Sequence, residues 1–295
     1  MNHYQKYLND FFSEFRPEPN YPTYPPYHTG LYLEDYFYKE YNKENIEHIF
    51  YIPVSWTTTY IQNQDNNLQE KLNSLEKDKK YFTVCQHDDA PKENLPYDCL
   101  IFAAGGNIIK QNTIPIPLIC SNIPSNLIVS NEPKKYLASF VGSITHQLRY
   151  EIYNKYANNE KFLVKAKQWT PTVTDNNLAD FIKITQQSYF TFCPRGYGLN
   201  SFRLYESFQL GSVPIIVTDK PFLPMSELFD WNSAAIIINM SGLDNLEKSL
   251  IDIINTNYNS YITYGKKIYN QYFTLNKLYK YIMEKICEKN TTTSS

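Results

Sequence analysis

Residues 189–219, YFTFCPRGYGLNSFRLYESFQLGSVPIIVTD, constrain the fold more than any other stretch. They read as strand, glycine-bearing loop, helix, turn and strand. Residues 189–193 are a short aromatic and β-branched run, as a buried strand requires. Pro194, Gly196 and Gly198 interrupt regular structure and let the backbone turn tightly. Asn200 is the expected N-cap of a helix over 201–210, which contains no breaker. Gly211 stands where the residue after a helix takes a positive φ, and 213–217 form the next strand.

The rest of the chain repeats this alternation. Residues 1–45 are irregular and rich in Tyr and Pro, expected to wrap a domain surface, with helical character only in LYLEDYFYKEY. Strands are expected at 46–54, 81–86 and 99–103, with an amphipathic helix over 66–79. Pro115 and Pro117 make 114–120 an extended edge or linker. A second series runs as strands at 136–141, 162–166 and 234–239, helices at 145–156, 177–187 and 243–254, and a helical remainder over 258–290. Strands alternating with helices in units of about 30 residues indicate parallel sheets. The expected organisation is two Rossmann-like domains, 1–130 and 131–275, with a C-terminal helix and polar tail at 276–295. The site would lie between the halves, at the C-terminal ends of the strands.

A loop that opens a helix after a parallel strand favours an anion, because the first helical N–H groups are unpaired and the helix dipole adds its pull. Two cations stand at that spot, Arg195 in the loop and Arg203 in the first turn. The chain has 24 Lys and four Arg, at positions 16, 149, 195 and 203. Two guanidiniums eight residues apart in such a chain point to phosphate recognition. Glu206, one turn beyond Arg203, either pairs with it or reaches a ribose hydroxyl. The structural alternative for the whole stretch is a turn with a surface ion pair.

Net charge is −2 and the pI is near 6.2, which argues against nucleic acid or an anionic membrane as partner. The 27 Tyr accompany abundant Asn, Ile and Lys, so aromatic content alone is no evidence of sugar stacking. The five Cys are scattered and form no CxxC pair, which reads as reduced thiols in a cytoplasmic protein. The N-terminus has no apolar core of a signal peptide, and no window is apolar enough for a transmembrane segment.

The ordered residues Arg195, Ser201, Arg203, Glu206, Pro214, Leu223-Pro224 and Asp230-Trp231 resemble the C-terminal signature of the exostosin family of glycosyltransferases. SFVGSITHQLRYEIY, with Gly142 and Arg149, is similar to that family's upstream segment; Ser212 departs from it, standing where many members have Cys. The likeness is good over 136–255 and general before residue 120. It implies a GT-B fold, an α/β architecture of two Rossmann-like domains facing each other across a cleft with C-terminal helices. It also implies an inverting transfer from a nucleotide-sugar donor, read as UDP-linked, to a saccharide or glycoconjugate acceptor. The donor set is then Arg149, Arg195, Gly196, Gly198, Asn200, Ser201, Arg203 and Glu206. Cations and N–H groups aimed at the leaving β-phosphate lower the barrier by a few kcal/mol each, at roughly that order. No cofactor is required on this reading. No Asp stands two residues from another, so the Asp-x-Asp metal motif is absent and a divalent metal is not expected.

The base has several candidates: Glu34 and Asp35 in GLYLEDYF, and His87, Asp88 and Asp89 in YFTVCQHDDAP. The second cluster ends an expected strand, where α/β sites place their chemistry. Its bland reading is a capped or solvated turn before Pro91. His146 lies just ahead of Arg149 and is a helix-surface or phosphate residue. Asp230 and Trp231 line a sugar pocket or simply pack. A non-catalytic nucleotide-sugar or glycan-binding protein on the same fold is the competing class, and a kinase is disfavoured because GxxxxGK[ST] is absent.

Overall fold

A computed structural model describes residues 1–17, 32–119, 123–129, 131–169 and 174–291. The Tyr-Pro stretch that the sequence places on a surface lies almost wholly outside them, at 18–31. The chain divides into two compact units. The first holds the described residues of Met1–Tyr21, Gly30–Cys120 and the C-terminal Leu275–Ser295; the second holds those of Ser121–Thr274.

In the first unit, strands β1 (Phe50–Tyr51), β2 (Tyr81–Cys85), β3 (Leu100–Ala103) and β4 (Thr113–Pro115) form a parallel sheet in that order. All five residues of β2 are buried, which explains why its apolar run does not alternate. Pro115 sits on the edge strand, where a missing N–H costs no ladder bond. Helices α1 (His3–Phe11), α2 (Leu33–Tyr41), α3 (Trp56–Ile61) and α4 (Leu68–Asn73) complete the unit's first part. α1 stands within the stretch expected to be irregular. It forms because Asn2 caps it by accepting from Gln5 N at 2.8 Å, and because Leu8, Phe12 and Phe15 enter the core beside β1.

The second unit carries β5 (Tyr136–Ser143), β6 (Phe162–Lys167), β7 (Ser188–Phe192), β8 (Val213–Val217) and β9 (Ile236–Ile238). All pairings are parallel, in the order β6-β5-β7-β8-β9. The chain leaves β5 for one neighbour through α5 (Gln147–Tyr156), then returns through α6 (Asp175–Gln186) to pair on β5's other side. Strand order therefore reverses at β5 and β7, and the C-terminal ends of these two strands form a topological switch point. Helix α7 (Phe202–Gln209) follows β7, and Gly211, at φ +69°, ends the turn into β8 as expected. Helices α8 (Leu246–Thr256) and α9 (Tyr258–Tyr272) close the unit, whose core is Phe140, Phe190, Phe192, Ile215 and their neighbours.

The last helix, α10 (Leu275–Thr291), packs in the first unit. Its Tyr279 lies 5.2 Å from the Phe37 ring and donates to Glu44 at 2.9 Å. No helix of the described residues is long and apolar enough to cross a membrane.

Candidate functional site

The switch point gathers the residues expected to bind the donor. Arg203 rises from the first turn of α7, its guanidinium 4.7 Å from the Phe181 ring centroid and 5.7 Å from that of Phe140. Its Nε is buried without a hydrogen-bond partner, and among the described residues the guanidinium has neither hydrogen bond nor ion pair. Gly142, at the end of β5, makes room for it: a Cβ there would lie 3.3 Å from Arg203 Nη1 and 3.0 Å from the Phe140 ring.

Arg149 is held differently. Its Nε donates to Arg195 O at 3.0 Å and its Nη1 to Ser143 O at 3.0 Å, so it ties the β5 and β7 loops together. Gly196 fits against it, since an added Cβ would lie 2.8 Å from Arg149 Nη2. Three backbone carbonyls, counting a longer contact to Pro194 O at 3.5 Å, already surround this guanidinium. Arg149 therefore shapes the loop from within. Arg195 pairs with Asp219, beyond β8, at 3.3 Å, and donates to Tyr197 O at 3.1 Å.

The cap of α7 differs from expectation. Ser201 is the N-cap residue, with no side-chain cap bond. Asn200 instead turns its Oδ1 to Ser201 N at 2.9 Å and to the Tyr205 hydroxyl at 3.2 Å. The amide at Ser201 is thus occupied internally. Gly198 lies buried in the same loop, and Glu206 is 9% exposed one turn along α7. His146 caps α5 by accepting from Leu148 N at 3.2 Å. Burial first, and then the Arg195 charge, lower its affinity for a proton.

One cation escaped the sequence reading. Lys167, the last residue of β6, donates to Asn177 Oδ1 at 2.7 Å. Burial lowers its pKa, and Arg203 is among the charges that act on it, so the two share one field. Nothing marked it among 24 lysines; only the sheet order places it beside β5. Trp231 is a packing residue: it is 3% exposed, donates to Pro224 O at 2.9 Å, and lies among Phe208, Phe229 and Phe273. Asp230 caps the short turn that begins there.

The base candidates lie in the first unit, around the C-terminal end of β2. Glu34 is 1% exposed and accepts from Gln86 N at 2.6 Å, Thr57 N at 2.9 Å and Thr57 Oγ1 at 3.0 Å. Gln86 in turn accepts from Leu33 N at 2.9 Å, so α2, α3 and β2 are laced together. Burial pushes the Glu34 carboxyl up to about 8 against the pull of the Gln86 and Thr57 amides. Such an enclosed, saturated carboxyl is a structural clamp. Asp35 follows it, partly exposed. Asp88 and Asp89, also partly exposed, form the loop after β2. Asn107 fixes that loop from the next one, its N donating to Asp88 O at 3.0 Å and its Nδ2 to Asp89 Oδ1 at 3.0 Å. Gly105 permits the close approach, because a Cβ would stand 2.3 Å from Asp88 Cα. Among the described residues no group of three or more His, Cys, Asp and Glu is arranged to hold a metal ion.

A family model described as the exostosin GT47 domain matches residues 47–253. The chain is similar to a curated Caenorhabditis elegans protein named exostosin-1 homolog, 29% identical over 159 residues, covering 45% of this chain and 41% of that one. It resembles zebrafish exostosin-1b at 34% identity over 140 residues, 44% of this chain and 18% of the other. An Arabidopsis thaliana protein named probable glycosyltransferase is 25% identical over 177 residues, 58% of this chain and 35% of the other. These matches span less than half the length of each relative. The solved structure of the pneumococcal O-GlcNAc transferase with UDP and GlcNAc is similar at a TM-score of 0.39 and 12% identity, over 78% of this chain and 47% of that one.

Proposed function

Since the chain belongs to the exostosin GT47 family, we propose that it is an inverting glycosyltransferase. It takes a sugar from a nucleotide donor, UDP-linked on this reading, to a saccharide or glycoconjugate hydroxyl. The observation that carries the proposal is Arg203: a guanidinium at the switch point, stacked on Phe181, with no partner among the described residues. A buried polar group without a partner is costly, and a diphosphate oxygen would supply one.

In the reaction the C1–O bond to the β-phosphate breaks and the bond from C1 to the acceptor oxygen forms on the opposite face. The pair of electrons leaves with the nucleoside diphosphate, and the acceptor hydroxyl's proton passes to a carboxylate. Arg203, with Lys167 and Arg195 nearby in the fold, neutralises the leaving charge, and Glu206 is the ribose partner. Asp88 or Asp89 takes the proton; Asp35 is the second choice, and the enclosure of Glu34 argues against it. The chain's own cations carry the charge, so no divalent metal is required on this proposal. A cytoplasmic setting accords with free, buried thiols at Cys85, Cys99 and Cys193.

The test is turnover. The protein, offered a panel of UDP-sugars and simple glycosides, is expected to release UDP only when donor and acceptor are both present, with the product anomer inverted. Release of UDP with retained configuration would overturn inversion. Absence of release with every pair would overturn the activity.

A further inference from the structure

His87 lies in the loop after β2, next in sequence to the candidate base residues Asp88 and Asp89. Its Nδ1 accepts from Asp89 N at 3.1 Å. Its ring meets Tyr60 edge-on, centroids 5.2 Å apart at 88°. Tyr60 is itself fixed, donating to Glu93 at 2.5 Å and accepting from Lys92 N at 2.9 Å. The His87 carbonyl accepts from Ala90 N at 3.2 Å, and Gly105 presses on the same backbone. The imidazole is therefore oriented by packing, by a hydrogen bond and by a rigid loop.

The bond at Nδ1 decides the chemistry. A ring nitrogen that accepts from an amide carries no proton, so in the neutral ring the proton is on Nε2. Nε2 makes no hydrogen bond to the described residues, and the residue is partly exposed. Burial first, and then Lys92, hold the ring to its neutral form, with Asp89 opposing. Such a histidine is a donor at Nε2. It is not a base there.

We propose that the Nε2–H of His87 anchors a non-reacting hydroxyl of the acceptor sugar, held by the Asp89 amide at Nδ1 and by Tyr60 at the ring. Donation into the attacking oxygen would oppose its nucleophilicity, so the partner is a neighbouring hydroxyl. The proton of the attacking hydroxyl goes to a carboxylate and not to this ring. The inference rests on the acceptor reading given above. As uniform binding, the contact lowers KM for the acceptor and leaves kcat nearly unchanged.

The experiment uses the full chain with ¹⁵N-labelled histidine, the His87 signals being assigned by their loss in His87→Asn. That variant keeps an oxygen where Nδ1 stood, so the Asp89 amide retains its acceptor while the Nε2 donor is gone. The wild type is expected to show the Nε2–H tautomer. Titration with the methyl glycosides of β-glucose, β-galactose, β-N-acetylglucosamine and β-glucuronate is expected to move the His87 Nε2 signal with at least one of them. His87→Asn is expected to bind that glycoside about fivefold more weakly at an unchanged melting temperature. An Nδ1–H tautomer, no movement with any of the four, or equal affinity in the variant would overturn the proposal. Movement without UDP release in the turnover assay would leave this anchor standing and remove the transferase reading instead.

Discussion

Glu34 in the first unit and Arg203 in the second are enclosed polar groups held in opposite ways. Glu34 meets three donors, two on the first turn of α3 and one just after β2, and is closed to solvent. Arg203 meets two aromatic rings and no acceptor among the described residues. A polar group whose partners are all supplied maintains the fold around it, whereas a buried cation with packing but no acceptor is costly to the fold and is satisfied by a ligand on the proposed function. Arg149 sharpens the contrast within a single unit, because its carbonyl partners make it resemble Glu34 more than its neighbour Arg203.

The largest effect is expected where the fold depends on the enclosed carboxyl. Glu34→Ala leaves the Gln86 amide and both Thr57 donors without an acceptor and should cost about 3 kcal/mol of stability at pH 6. Nucleotide affinity in the other unit should be unchanged; a matching loss would erase the distinction. Its pH dependence has a fixed sign. The folded carboxyl titrates near 8 against an ordinary 4.5, so between these values the folded state holds a proton that the unfolded state has lost. This group's contribution to stability therefore falls as pH rises through that window, and urea titrations of the variant should show the slope reduced.

Next in size is Arg203→Met, which keeps the packing against Phe181 and removes the charge. Nucleoside diphosphate affinity should fall about thirtyfold, with the melting temperature unchanged or higher. A collapse in melting temperature would put Arg203 in the class of Glu34. Gly196→Ala should do less. Its Cβ would press on Arg149 Nη2, shift the loop, and weaken binding about fivefold as seen by calorimetry. Smallest of all is the expected effect of EDTA on turnover, which is none; restoration of a lost activity by magnesium or manganese would contradict the assignment of the charge to arginine.

Much of the second unit was legible because local signals agreed there. The strand at 213–217 matched β8 residue for residue, and Gly211 took the positive φ its place demanded. Arg195, Gly196 and Arg203 were grouped together because they are close in sequence. What required the third dimension was different in kind. Sequence showed that Arg149 was one of few arginines, but not that backbone carbonyls from loops 46 and six residues away would surround it. Glu34 was a base candidate on residue type alone; its enclosure involves Thr57 and Gln86, 23 and 52 residues distant. Asn200 looked like the helix cap on residue type, yet Ser201 takes that position. Lys167 was hidden by the abundance of its kind, and α1 by weak helical propensity that tertiary packing overrides.

Calorimetric titration of the full chain with UDP, GDP and UMP, without added metal and beside Arg203→Met, reaches the central claim most directly. Tight binding of one diphosphate is expected, weaker for the monophosphate and largely lost in the variant. Equal affinity in wild type and variant, or no binding to any of the three, would contradict the assignment of Arg203 to the donor's phosphates.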